Sequence, residues 1–153
     1  MEDVKRILVL SRMSGCCRKA LQYGISLAQK YHAELFVMHV VHDPFGLAGW
    51  NLPLPSLEND YKRELAKRKE ELDALVRSVN EAGMAIKELI PQGSPTDEVF
   101  KAISKEKIDL LIMSAHEEGH LEHFLFGRAN EEIIHKMPCS VLLVKKKLPV
   151  VPY

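Results

Sequence analysis

The sequence predicts an α/β fold: a three-layer, five-stranded parallel sheet of the Rossmann-like or flavodoxin-like kind, with helices on both faces. Three observations predict it. Five short apolar runs alternate with helical stretches, the order that packs as a parallel sheet with right-handed crossovers. The opening and closing runs are almost unbroken in their apolarity, as in strands covered on both faces. The length of 153 residues suits one core, since a domain of that size buries roughly 70% of its unfolded surface.

The elements follow in order. Residues 6–10, with four consecutive apolar side chains, form the first strand. From 17 to 30, Ala20, Leu21, Ile25 and Ala28 recur at helical spacing. Residues 34–41 are the second strand. A longer helix over 57–82 carries Leu57, Tyr61, Leu65, Leu72, Leu75, Val76 and Val79 on one face and charged pairs such as Glu64 with Arg68 on the other. Gly83 then stands where a left-handed residue closes a helix. Residues 84–90, apolar but interrupted by Lys87 and Glu88, read as an edge or half-covered strand.

Ser94, Pro95 and Asp97 are a helix start: a capping hydroxyl, a proline at the first helical position and an acid that completes a capping box. That helix runs to about Lys105 with Val99, Phe100 and Ile103 inward. The fourth strand covers 108–113 and a last helix 127–136, ended by Pro138. The fifth strand spans 140–145, so residues 1–147 make one domain and 148–153 an apolar tail.

The charge balance excludes several functions. The 21 basic and 21 acidic residues cancel, leaving no net field for nucleic acid. No apolar run reaches the length of a membrane span, and no signal peptide opens the chain. Three cysteines, two of them adjacent, are no disulfide framework. The chain reads as cytoplasmic and reduced.

Ligands on parallel sheets bind beyond the carboxyl ends of the strands, where strand order reverses. With the first strand central, the loops over 11–15, 42–55 and 114–126 would gather there. The third of these holds no glycine-rich cradle of the kind a phosphate needs for close main-chain approach. It offers Ser114, Ala115, Glu117 and Glu118 instead. No nucleophile stands beside a base in a recognisable local signature, and residues 126–129 have no serine at the centre of a nucleophile elbow. No catalytic residue is therefore assigned.

Ser14 after the opening strand, the turn at Gly93, Ser94 and Pro95, the run from Asp109 to Met113, His116, Gly127, Glu131 and the run from Pro138 to Val144 carry a resemblance. In order and spacing the chain resembles the universal stress protein family nearly end to end. The resemblance implies a Rossmann-like sheet and a homodimer joined through the last strand. Many members hold ATP by Gly-x-x-Gly, nine further residues, then Gly and Ser or Thr. Those four positions fall at Ser114, Glu117, Gly127 and Arg128, so a single glycine is kept. The family's first-loop Asp falls at Arg12.

The resemblance thus points to the branch without ATP, whose members act in stress survival and signalling without enzymatic activity or cofactor. The degenerate pocket it implies is lined by Leu10, Arg12, Val41, Met113, Ser114, His116, Glu117, Gly127 and Arg128. Glu117 would set a carboxylate against a triphosphate, at a cost of several kcal/mol by order of magnitude, about that of an uncompensated charge pair. Glu117 or Glu118, paired with Arg12 or Arg128 at the start of the last helix, would instead replace the anion internally. The alternative is an ATP or adenine-nucleotide binder in which Arg12 and Arg128 substitute charge for the glycine contacts.

A third class is a metal- or thiol-dependent sensor. His116, His120 and His123 interleave with Glu117, Glu118 and Glu122, and His39 and His42 lie on the second strand and just after it. Their spacing matches no closed zinc pattern, so no metal site is assigned. Cys16 and Cys17 lie at a helix start near Arg12, Arg18 and Lys19, where a thiol pKa falls, whereas Cys139 reads as core. The segment 43–55, with Phe45, Leu47, Trp50, Leu52 and Leu54, either covers the pocket mouth, packs on a partner subunit or tucks against its own helix.

Overall fold

A computed structural model describes residues 3–11, 15–41, 55–115 and 130–145. Its elements are β1 (Arg6–Leu10), α1 (Gly15–Tyr31), β2 (Glu34–Met38), α2 (Pro55–Val79), β3 (Ile86–Leu89), α3 (Pro95–Glu106) and β4 (Leu110–Ser114), then α4, helical over 130–136, and β5 (Ser140–Val144). The five strands pair in the order β3-β2-β1-β4-β5, every pair parallel. β1 is central, as the switch-point argument required.

β1 owes its place to its apolar run. Ile7, Leu8 and Val9 are fully buried, and the strand pairs with β2 from Arg6↔Glu34 to Leu10↔Met38 and with β4 from Ile7↔Leu110 to Val9↔Ile112. Alternation sends its side chains to two cores. Ile7 and Val9 join Leu35, Val37 and Ile112 against Leu21 of α1 and Leu72 of α2. Leu8 and Leu10 join Phe36, Met38, Leu111 and Met113 against Val99 of α3 and Ile133 of α4. At the amino end of the sheet, the Asp109 carboxylate accepts from the main-chain N–H groups of Lys5 (2.9 Å) and Arg6 (2.8 Å).

α1 lies close on the sheet because residue 24 has no side chain. A Cβ built there would stand 2.5 Å from Val9 Cγ2 and 3.3 Å from Leu35 Cδ1. On α2 the charged face forms as expected, with Arg68 bonded to Glu64 at 2.8 Å and Glu71 at 3.0 Å; such exposed pairs contribute about 0.3–0.5 kcal/mol each.

Two expected helix ends are built differently. Gly83 has the expected left-handed backbone (φ +66°), but α2 ends earlier, at Val79, and Gly83 belongs to the turn beyond it. Asn80 closes that turn: its side chain donates to the Met84 carbonyl (2.8 Å) and accepts from the Met84 N–H (2.9 Å). At α3, Ser94 occupies the N-cap position with Pro95 behind it, yet its hydroxyl makes no capping bond. Proline already removes one orphan N–H, and the acidic Asp97 and Glu98 of the first turn favour the dipole. Gly93, at φ +139°, makes the preceding turn, and a Cβ there would meet Glu98 Oε1 at 3.2 Å.

β3 is an edge strand, as its polar interruptions predicted. Lys87 points to one face, over the Phe36 ring at 5.1 Å, and Glu88 to the other, beneath Lys69, Asp73 and Arg77 of α2. Withdrawal from water, then a hydrogen bond and repulsion from Asp73, push the Glu88 carboxyl up to about 7, against the pull of Lys69 and Arg77. The folded value lies above the ordinary 4.5, so its stabilising contribution is complete below that pH and is lost as pH rises through 7. Melting temperature measured from pH 5 to pH 8 is therefore expected to fall less in Glu88→Gln than in the parent. The difference should be roughly 1–3 °C, because solvent screens a half-exposed pair; parallel profiles would refute the assignment.

Candidate functional site

The sheet order puts the reversal between β1 and β4, whose carboxyl ends mark where a ligand of this architecture binds. Leu10 ends β1 and Met113 is the last residue but one of β4; they are buried at 1% and 0% exposure and belong to the α3–α4 core. As buried core side chains they offer a ligand no polar group.

Val41, beyond β2, is buried, and both its main-chain groups are engaged. Its N–H donates to the Pro91 carbonyl at 2.9 Å, and its own carbonyl accepts from Gly93 N–H at 3.1 Å. The turn before α3, which needs Gly93, is thereby fastened to the ligand end of β2. Tyr61 of α2 adds a second tie, its hydroxyl donating to Gln92 Oε1 at 2.7 Å.

His39 and Ser11 are joined across the carboxyl ends of β2 and β1. The Ser11 N–H continues the ladder to the Met38 carbonyl (2.7 Å), and His39 Nδ1 lies 3.0 Å from the Ser11 carbonyl. A carbonyl only accepts, so Nδ1 carries the proton and that nitrogen is closed to a metal. The His39 ring, a candidate metal ligand by sequence, straps the two strands together through that nitrogen.

Ser114 corrects the sequence reading most. Expected in the loop, it is the last residue of β4, paired with Val144 and buried at 3% exposure. Its hydroxyl has no hydrogen-bond partner. Asn130, in the first described turn of α4 and buried at 5%, donates from Nδ2 to the Ser114 carbonyl at 3.3 Å, while its Oδ1 is also without a partner. Among the described residues these are the two buried side-chain atoms left unsatisfied.

Sequence reasoning missed Asn130. The signal was a polar residue three before Ile133, on the helix face that packs on the sheet.

Ser114 carries a Cβ and a hydroxyl, and its side chain is buried at the strand end.

Arg12, Ser14, His116, Glu117, Gly127 and Arg128 lie outside the described residues, as do Glu118, Glu122, His42, His120, His123, the segment 42–54 and the tail 148–153. Pro55, expected in the loop, opens α2. Cys17 is buried in α1, the side chain of Cys16 lies outside the described residues, and Cys139 is half-buried rather than fully in the core. Burial raises the Cys139 thiol pKa. No group of three or more His, Cys, Asp and Glu placed to hold a metal occurs among the described residues. None of their helices is long and apolar enough to cross a membrane.

At the carboxyl ends of β2 and β3, a groove of about 390 Å³ lies against α3, lined by Met38, Leu89, Ile90 and Pro91 and by Glu98 and Lys101. Those two charges neutralise each other at 3.1 Å.

Comparison with known proteins agrees with this architecture. Residues 3–145 match the model of the Universal stress protein family. Universal stress protein MJ0577 of Methanocaldococcus jannaschii is 26% identical, the match covering 94% of this chain and 96% of that one. MJ0531 of the same organism is 29% identical over 93% and 82%. Among solved structures, that of MJ0577 superposes with a TM-score of 0.75 at 25% identity, covering 97% of this chain and 100% of that one. A universal stress protein solved in complex with cAMP has a TM-score of 0.64 at 17% identity, covering 94% and 98%, and shows likeness of fold alone. One from Archaeoglobus fulgidus in complex with dAMP has the same score at 15%, covering 95% and 100%.

Proposed function

The chain belongs to the universal stress protein family, and on that premise we propose that it is a non-enzymatic, homodimeric protein of stress response and signalling in the cytoplasm, with a degenerate nucleotide pocket. The observation that carries this reading is Ser114: a buried side chain stands where the family's triphosphate cradle begins with glycine. The protein would act through contacts with other proteins or through a ligand other than ATP, and needs no cofactor.

The homodimer is supported by β5. That strand pairs with β4 on one side and has no strand on the other among the described residues. Leu143 on it is 46% exposed, and Ile134 and Met137 just before it are 39% and 55% exposed. An exposed apolar side chain on a strand edge without a neighbouring strand supports a contact surface there.

A second reading keeps an adenine-type ligand, and a specific observation favours it. The unsatisfied atoms of Ser114 and Asn130 stand at the ligand end of the fold, and relatives of the same fold were solved with cAMP and dAMP. Arg12 and Arg128 would then hold the phosphate by charge.

Acid extraction of the purified protein, with mass spectrometry of the released small molecules, separates the readings. The expected outcome is no ATP, and no rise in melting temperature with excess ATP and magnesium. ATP recovered near one per chain would refute the degenerate pocket and make Arg12 and Arg128 the first residues to mutate.

A further inference from the structure

We infer that Ser114 and Asn130 form a ligand-reading pair that takes a neutral hydrogen-bond donor, a hydroxyl of the nucleoside class, in place of a phosphate oxygen; this rests on the reading of the β4 carboxyl end as the ligand end. The Asn130 amide is oriented by its bond from Nδ2 to the Ser114 carbonyl, 3.3 Å long. Oδ1 is therefore the atom left over, and on Ser114 the hydroxyl is left over as well. Both side chains are more than nine-tenths buried.

Buried polar atoms in native proteins are almost always paired, and exceptions gather where a ligand, ion or water belongs. Here both exceptions among the described residues fall on two residues joined by one hydrogen bond, from the Asn130 side chain to the Ser114 main chain, at the strand end beside the switch point. The remaining buried polar side chains, Ser11, His39 and Thr96, carry no unsatisfied atom.

The donor inventory fixes what can complete the pair. An amide oxygen only accepts, whereas a hydroxyl gives one proton and accepts others. A phosphate oxygen at neutral pH has no proton to give, so Asn130 Oδ1 would repel it. An ammonium would need a carboxylate beside it once desolvated, and no Asp or Glu is among the described buried residues. A neutral O–H donor satisfies Oδ1 and can exchange hydrogen bonds with Ser114. Sugar hydroxyls have this chemistry. A single bound water has it too, so the test must separate the two.

Isothermal titration of the full chain with adenosine, AMP and magnesium ATP, repeated on Asn130→Ala and Ser114→Ala, does so. Adenosine is expected to bind the parent more tightly than AMP or ATP by about tenfold or more, and to lose about tenfold in each variant. The unliganded melting temperature of Ser114→Ala should not fall, because that substitution removes a hydroxyl that had no partner, whereas Asn130→Ala also gives up the bond to the Ser114 carbonyl. If Asn130→Ala does not fold, Ser114→Ala carries the same readout.

Adenosine affinity unchanged in both variants would overturn the pair, and so would a high-resolution crystal structure with adenosine showing one water bridging the two atoms. Failure of adenosine to bind overturns this inference and leaves the degenerate pocket standing. Co-purified ATP that both variants retain overturns the two together.

Discussion

Gly24→Val is expected to destabilise the fold by about 2–4 kcal/mol, lowering the melting temperature by roughly 6–12 °C for a chain of this size. The cause is a contact that no small adjustment relieves. The new Cβ would fall 2.5 Å from Val9 Cγ2, and Val9 is fully buried in the central strand. Its branched side chain is stiff at χ1. Leu35 Cδ1 at 3.3 Å and Ile112 Cδ1 at 3.7 Å close the other directions, so α1 must lift from the sheet. Gly24→Ala is the instructive control. Alanine gains about 0.8–1.0 kcal/mol of helix propensity over glycine, which overpacking of about 1–3 kcal/mol offsets. Thermal and denaturant unfolding check both variants; an unaltered midpoint for the valine variant would show that α1 does not sit on the sheet as described.

The second large effect concerns the proposed dimer. Leu143→Asp should leave the chain monomeric at concentrations where the parent dimerises, with an unchanged circular dichroism spectrum. Leu143 is nearly half exposed on β5, so the protomer has little to lose. Burying an unpaired carboxylate in a dimer contact costs several kcal/mol, which weakens association by about 100-fold or more. Sedimentation velocity on both proteins decides it. A parent that is monomeric, or a variant that remains a dimer, would remove β5 from the interface.

The strands were legible because their patterns are local. Residues 6–10 and 140–144 are apolar runs with little alternative, and both are strands within a residue of expectation. Lys87 and Glu88 marked β3 as an edge. The end of α2 was misplaced because Gly83 is a familiar helix terminator, whereas the closing interaction comes from the amide of Asn80 to Met84, which no spacing announces. The candidate site was half legible. A serine in place of the first glycine could be read from sequence, but its burial as the end of β4 could not. Asn130 and Ser114 meet across sixteen positions, and His39 and Ser11 across twenty-eight; such pairs depend on strand order, which sequence supplied only as a condition.

The bond from Asp109 to the main chain of Lys5 and Arg6 spans about two-thirds of the chain, and it bears on the order in which the protein is made. β1 emerges from the ribosome before the other four strands and finds β2 soon after. Its other edge stays open until β4 has been synthesised, some hundred residues later. Loop closure over that distance slows folding, and an unpaired apolar strand invites association in the meantime. β1–β2–β3 is therefore the half that can form during translation, and the arrival of Asp109 and β4 closes the second edge of β1, leaving β5 to complete the sheet.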